Sequence, residues 1–134
     1  MTERSLFLIK PNAVANGHIG DIVSIIERHK FRIINIKIIT FNPELSRRFY
    51  ADHLGKEFYQ RLESFMCSGN TIALLLEKEN AIAELREIMG DVMPEKRKPG
   101  TIRALYGEGV TNNGAHASDS VKNAQKEIQI IFGD

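Results

Sequence analysis

The order of apolar segments predicts an α+β fold: a four-stranded antiparallel sheet with helices packed on it, the split βαβ or ferredoxin-like arrangement. Three observations carry this reading. Residues 5–10, 31–40 and 70–77 are apolar runs of strand length, two of them rich in branched side chains. The stretches between them place apolar residues three and four positions apart, the helical period. At 134 residues the chain is long enough for one core and too short for two, so these elements form a single domain, 1–134.

Taken in order, Ser5, Leu6, Phe7, Leu8, Ile9 and Lys10 form a buried strand that Pro11 stops, because proline cannot donate to a ladder. Residues 12–17 read as loop. From His18 onward, Ile19, Ile22, Val23, Ile25 and Ile26 make one helical face, with Asp21, Ser24, Glu27 and Arg28 between them. Residues 31–40 form a long strand whose alternation sets Ile34, Ile36 and Ile38 on one face and Asn35 and Lys37 on the other. Its apolar length marks it as lying near a sheet edge that needs covering. Pro43 and Glu44 start a second helical section carrying Leu45, Phe49 and Tyr50, which Gly55 interrupts. A further helix carries Phe58, Leu62, Phe65 and Met66. Residues 70–77 are the third strand, and residues 79–89 a helix with Ala81, Ile82, Leu85, Ile88 and Met89 on one face. Residues 90–114 hold Pro94, Pro99 and five glycines and show little periodicity, except a helical turn at 101–106. Connections of that length are commonly functional. A short strand surrounds His116, and residues 118–132 form the last helix, announced by Ser118, Asp119 and Ser120.

Composition narrows the function. Eighteen basic against seventeen acidic side chains give a formal net charge of +1, which offers no whole-molecule attraction for nucleic acid or an anionic membrane. An anionic ligand would have to be held by a local cluster of cations. No apolar run approaches membrane-spanning length and no signal-peptide pattern opens the chain, so a cytoplasmic protein is expected. Cys67 is the single cysteine and reads as a core thiol, in keeping with a reducing compartment.

The chemistry-bearing candidates centre on residues 109–120, where His116 lies between a glycine- and asparagine-rich loop and a helix start. Glu127, eleven residues on, can fold back towards the imidazole. A carboxylate on one ring nitrogen fixes the tautomer and frees the other as nucleophile or base. The same residues also fit an ordinary loop histidine before a capped helix, and sequence proximity alone does not separate the two. Arg86, Lys96, Arg97, Lys98 and Arg103 cluster around the long loop. Guanidinium groups suit phosphate, and a solvated basic loop fits the same pattern. Lys10 at a strand end is equally ambiguous, and Phe58 and Tyr50 suit a helix core as well as a stacking platform. No Walker-type phosphate loop is present, nor the H-R-D and D-F-G set of protein kinases. The four histidines, His18, His29, His53 and His116, have no cysteine pairing of the zinc type.

Five co-linear stretches then carry a resemblance. Leu8-Ile-Lys-Pro-Asn-Ala-Val14, the segment holding Phe49, Tyr50, His53 and Phe58, Phe65-Met-Cys-Ser-Gly69, Gly100-Thr-Ile-Arg103, and Asn113 with His116-Ala-Ser-Asp-Ser120 resemble the nucleoside diphosphate kinase family in order and spacing. The similarity spans essentially the whole chain. It implies a ping-pong phosphotransferase that moves the γ-phosphate of ATP or another nucleoside triphosphate to a nucleoside diphosphate through a phosphohistidine. His116 matches the nucleophile, Glu127 the carboxylate orienting its ring, and Ser118 a supporting hydroxyl. Lys10 and Asn113 match groups that hold sugar hydroxyls and phosphates, Arg86 and Arg103 the phosphate-binding arginines, and Tyr50 a neighbour of the transferred phosphate. Phe58 matches the aromatic stacked on the base, with Leu62 and Val110 lining the same slot. Mg²⁺ is implied as a cofactor carried by the nucleotide phosphates, without a protein cage of its own. A homo-oligomer built from dimers, tetramer or hexamer, is implied as well, with the edge strand covered by a two-fold contact.

Three departures from the family pattern stand out. Ala117 takes the place of a glycine after the histidine. Val92 and Met93 replace a threonine and asparagine before the loop proline, so a phosphate-facing hydroxyl becomes a methyl group. The tail beyond the last helix is nearly absent, which implies a less stable assembly. None of these removes a catalytic group, so an active enzyme is expected. Two other classes compete: a nucleotide sensor of the same fold without turnover, and a protein- or nucleic-acid-binding module using the basic loop. The full set of His116, Lys10, Arg86, Arg103 and Asn113 argues against the first, and balanced charge against nucleic acid as the main partner.

Overall fold

A computed structural model describes residues 1–133; Asp134, the last residue of the predicted domain, lies outside them. The four strands are β1 (Thr2–Ile9), β2 (Arg32–Thr40), β3 (Asn70–Glu79) and β4 (Ala115–Ala117). Seven α-helices accompany them: α1 (Pro11–Ala15), α2 (Ile19–Arg28), α3 (Pro43–Phe49), α4 (Tyr59–Met66), α5 (Ala81–Met89), α6 (Ile102–Tyr106) and α7 (Val121–Phe132). The strands run antiparallel in the order β2-β3-β1-β4, the predicted α+β, ferredoxin-like sheet.

Both central strands are buried on both faces, which explains why β1 and β3 read as continuous apolar runs. Phe7, Ile9, Leu74 and Leu76 join Ile22 and Ile26 of α2 and Leu85 of α5 on one side. Leu6, Leu8 and Ala73 join Phe49, Leu62, Met66 and Ile131 on the other. Successive side chains of a strand alternate between these faces, so register decides which chemistry lies where. Leu8 pairs with His116, and Ile9 and Phe7 pair with Ala115 and Ala117. His116 therefore shares the face of Leu8, towards α3 and α7, while its two neighbours enter the opposite core. A slip of one residue in β4 would bury the histidine on the wrong side of the sheet.

Several boundaries differ from the sequence reading. Pro11 ends β1 as expected, but it then occupies the first position of α1 across the stretch read as loop, since a fixed φ and a missing N–H suit a helix start. α7 begins at Val121, not at 118: Ser120 is the cap, accepting from the Asn123 N–H at 3.0 Å, while Ser118 is taken up elsewhere. α5 begins at Ala81, after Asn80 in left-handed backbone (φ 57°). β2 is an edge strand, as its pattern suggested, yet a bulge between Ile33 and Asn35 breaks its alternation. Ile33, rather than Ile34, then lies opposite Leu76, while Ile36 and Ile38 face Leu74 and Ile72 across the ladder. Ile36 and Ile38 remain exposed, Ile38 by 69%. On the other face, Lys37 donates to the Ile131 carbonyl at 3.0 Å, which ties β2 to the end of α7.

Candidate active site

His116 and Glu127 do meet. Nε2 of the imidazole lies 3.0 Å from Oε1 of Glu127, and both side chains are largely buried. A carboxylate oxygen accepts only, so Nε2 carries the proton and Nδ1 is left without it. The same oxygen accepts from the Ser118 hydroxyl at 2.8 Å, and Ser118 Oγ in turn accepts from the Leu6 N–H at 3.1 Å. An unbroken line of hydrogen bonds thus runs from the backbone of β1 to the imidazole. The ring is also walled by aromatics, with Phe49 at 5.2 Å edge-on and Tyr50 at 6.4 Å.

The histidine opens into a cavity of about 510 Å³. Ten of the eleven residues singled out from the sequence line it: Lys10, Tyr50, Phe58, Leu62, Arg86, Arg103, Val110, Asn113, His116 and Glu127. Ser118 does not; it is fully buried behind Glu127, as a supporting hydroxyl should be.

Each cation is placed by backbone. Lys10 caps the start of α1 directly after β1, its N–H bonded to the Gly114 carbonyl at 2.9 Å, and only 5% of it is exposed. Burial, and then the nearby Arg103 guanidinium, push its pKa down from the usual lysine range to about 7. Arg86, in the last turn of α5, donates from Nη1 to the Ala117 carbonyl at 3.1 Å. Arg103, in α6, donates from Nη1 to the Gly90 carbonyl at 3.1 Å and from Nη2 to the Ala115 carbonyl at 2.8 Å. Burial, then Arg86 and Arg97, lower its pKa to about 10. Gly90 makes this possible: at φ 96°, a Cβ there would stand 2.5 Å from Thr101 Oγ1, the atom that caps α6. Among the described residues, Arg103 Nε and the Tyr50 hydroxyl are buried donors without a protein partner. Native interiors rarely leave such groups unpaired, so both call for an acceptor. Burial, with Glu127 nearby, raises the Tyr50 pKa and keeps the hydroxyl protonated.

The other end of the cavity is open and apolar. Phe58 is 38% exposed and Val110 50%, with Leu62 buried between α4 and the core. Asn113 bridges the two ends, its Nδ2 donating to the Val110 carbonyl at 2.8 Å and its Oδ1 accepting from the Ala115 N–H at 3.4 Å. Val92 also lines the cavity. Ala117 is buried in extended strand backbone, its methyl in the core, so alanine in place of glycine causes no strain.

The sequence reading left His53 outside the site. The structure stacks it on Tyr50 at 5.9 Å and sets it edge-on to Phe58 at 5.3 Å, with Nδ1 buried and unpaired among the described residues. Burial, then Lys56, lower its pKa. Its spacing from Tyr50 and Phe58 within a turn of irregular helix was the available signal. Asp119, Asn123 and Lys126 on one wall, and Arg61 with Thr111 on another, were likewise unforeseen.

An imidazole oriented by a carboxylate, opposite buried cations and orphaned donors on this sheet, is the make-up of a group-transfer enzyme for an anionic substrate. Comparison with known proteins agrees. Residues 3–134 match the family model described as nucleoside diphosphate kinase. A nucleoside diphosphate kinase of Chlamydia abortus is 43% identical over 130 residues, covering 97% of this chain and 92% of the relative. The crystal structure of the Aquifex aeolicus nucleoside diphosphate kinase superposes with a TM-score of 0.95 at 39% identity, covering 99% of this chain and 96% of that one. That of the Encephalitozoon cuniculi nucleoside diphosphate kinase gives 0.95 at 30% identity, covering 98% and 90%. The chain belongs to the nucleoside diphosphate kinase family and is an enzyme of that kind.

Proposed function

We propose that the protein transfers the γ-phosphate of a nucleoside triphosphate to a nucleoside diphosphate by a ping-pong route through a phosphohistidine at His116. The observation that carries this is the Glu127–Nε2 bond, which leaves Nδ1 as the ring nitrogen with a lone pair. The lone pair attacks the γ-phosphorus, the bond to the β,γ-bridging oxygen breaks, and its electrons depart with the diphosphate. The imidazole gains positive charge as it does so, and Glu127, held by Ser118, stabilises it without taking its proton. The second half-reaction reverses the first, with a β-phosphate oxygen of the incoming diphosphate attacking phosphorus and Nδ1 leaving.

The remaining groups bind and neutralise. Lys10, Arg86 and Arg103 line the cavity with positive charge for the phosphates; Lys10 and Arg103 are buried, where such charge is worth most, while Arg86 is exposed. The Tyr50 hydroxyl and Arg103 Nε supply donors that have no acceptor among the described residues. Phe58 offers its face to any base, with Leu62 and Val110 lining the same slot, which suits a broad choice of nucleotide. Lys10 and Asn113 lie where the sugar would pass between these ends.

Mg²⁺ fits this site as a companion of the phosphates. Among the described residues no three His, Cys, Asp or Glu side chains converge on a metal position, and the cavity's cations repel a bare divalent ion. Carried on phosphate oxygens held by Lys10, Arg86 and Arg103, it would supply further neutralisation of their charge. A homo-oligomer built from two-fold dimers, tetramer or hexamer, is supported by β2, whose Ile36 and Ile38 stand exposed on a sheet edge that a partner would cover. No helix among the described residues is long and apolar enough to cross a membrane, and a cytoplasmic location accords with one unpaired cysteine.

The test is covalent labelling. Protein incubated with γ-labelled ATP and Mg²⁺ gains an acid-labile label that added GDP discharges, and His116→Ala removes it. Full labelling of His116→Ala would end this mechanism; binding of nucleotide without label in the wild type would make the protein a sensor.

A further inference from the structure

Two loop segments of the cavity wall are held by one side chain that the proposed mechanism does not use. Arg97 follows a short 3₁₀ turn, Pro94–Lys96, on the outer side of the loop between α5 and α6. Its Nε donates to the Asp91 carbonyl at 2.9 Å, and its Nη2 to the Val92 carbonyl at 2.9 Å and the Gly109 carbonyl at 2.8 Å. The guanidinium also approaches Gly107 in the same loop as Gly109: a Cβ there would stand 3.0 Å from Nη1. Val92 and Val110 are cavity-lining residues, one behind the phosphates and one against the base in the proposed binding mode.

We propose that Arg97 is a positioning residue for the nucleotide, which fixes the separation of the Val92 and Val110 walls by bracing the backbone behind each. The inference rests on the nucleotide-binding reading above. Arginine suits the task because its donors sit in a rigid plane and serve several carbonyls at once. These carbonyls lie at a half-exposed surface, so without Arg97 they turn to water at small cost to the fold. The walls then lose their fixed spacing, and a nucleotide must order them as it binds. No hydrogen bond of Arg97 reaches the line from Leu6 through Ser118 and Glu127 to His116, so the phosphoryl step at saturation is left alone. The brace also bears on the phosphate wall as this chain has it. Where Val92 offers no hydroxyl, backbone held in place by Arg97 keeps that wall in position.

The experiment compares wild type with Arg97→Met and Arg97→Lys, reading Kd for Mg-ADP by calorimetry and KM and kcat for both half-reactions. Arg97→Met raises Kd and KM roughly tenfold while kcat at saturation stays within about twofold, the pattern of lost binding rather than lost transition-state contact. Arg97→Lys recovers part of the loss, because an ammonium reaches a carbonyl but lacks the fork. A merely structural role would lower the melting temperature and leave Kd of the folded protein unchanged; that result overturns the proposal, as does a fall in kcat with Kd unchanged. If Arg97→Met does not fold, Arg97→Lys decides by the same Kd comparison. Wild type that binds Mg-ADP yet gives no phosphohistidine refutes the phosphotransfer reading only, and the Kd comparison still decides the brace. Wild type that binds no Mg-ADP refutes both.

Discussion

The two ends of the cavity are built on opposite principles. At the histidine end four charged or polar side chains are tied to named partners, Arg86 and Arg103 by strand and loop carbonyls, His116 by Glu127, and Glu127 by Ser118, while the Tyr50 hydroxyl and Arg103 Nε are unpaired among the described residues. At the Phe58 end the surfaces are apolar, a third to a half exposed, and carry few directional contacts. Phosphoryl transfer depends on placing charge to within fractions of an ångström, whereas a base needs only a π-face. On the proposed mechanism, precision is therefore concentrated where the bond changes, and tolerance where the substrate varies.

The first way to break this contrast is at the anchored end. Glu127→Gln keeps the shape and loses the charge that steadies the imidazole. Hydrogen bonds to charged groups contribute about 1.5–3 kcal/mol, so kcat should fall roughly ten- to a hundredfold, with KM for ADP little changed. Stopped-flow labelling of His116 measures it. A fall in KM affinity with kcat intact would put Glu127 among the binding groups instead.

At the open end, Phe58→Ala removes a stacking surface worth about 1–3 kcal/mol, so Kd should rise about tenfold for ADP, GDP and CDP alike. Equal loss across the bases is the point of the measurement. A loss confined to one base would show that the slot discriminates after all.

A pH series sharpens the comparison further. Lys10 has a pKa of about 7 in the free protein, so it is mainly neutral at pH 8. Phosphates beside it favour the ammonium and raise that pKa, so binding of ADP takes up a proton. Affinity then weakens as pH rises above about 7, by up to about tenfold per unit, and Lys10→Met removes the dependence. Calorimetry in two buffers of different ionisation enthalpy reads the proton directly.

The smallest effect belongs to Val92. Valine and threonine share their branching, so Val92→Thr keeps the wall and restores one hydroxyl. Tightening of ADP binding by less than about tenfold, or 1.4 kcal/mol, is expected at fixed Mg²⁺ and salt. Weaker binding in a folded Val92→Thr protein would mean that this position does not face the phosphates.

The sequence was most legible where local pattern and tertiary role coincide. β1 and β3 announced themselves by unbroken apolar runs because both faces of both strands are buried. β2 was found as an edge strand, but its bulge at Ile34 left no trace in a run of isoleucines, any of which fits either face. α1 was missed because Pro11 signals a stop and a start equally well. Of the site, His116 and Glu127 were candidates from the sequence around them, whereas Lys10, Tyr50, Arg86, Arg103 and Asn113 took their roles from resemblance to a family, since the ends of β1 and α3, the helices α5 and α6, and the loop before β4 deliver them separately. His53 was present in the resembling segment but was given no role, because only its spacing from Tyr50 and Phe58 hinted that the two rings pack against it. Arg97 escaped for the related reason that a basic loop gives no hint of which carbonyls it will find.

The line of hydrogen bonds behind His116 has a consequence for the order in which the molecule matures. Its first two members, Leu6 and Ser118, stand 112 residues apart, and Glu127 lies further still along the chain. Local helix formation in α7 cannot assemble it, because the Leu6 amide is presented only once β1 is seated in the sheet. A newly made chain consequently has a histidine from the moment residue 116 is added, but an oriented one only after its first strand and its last helix have docked. Chemical competence is in this sense the last property the chain acquires, and an incompletely folded copy holds no oriented imidazole with which to consume nucleotide.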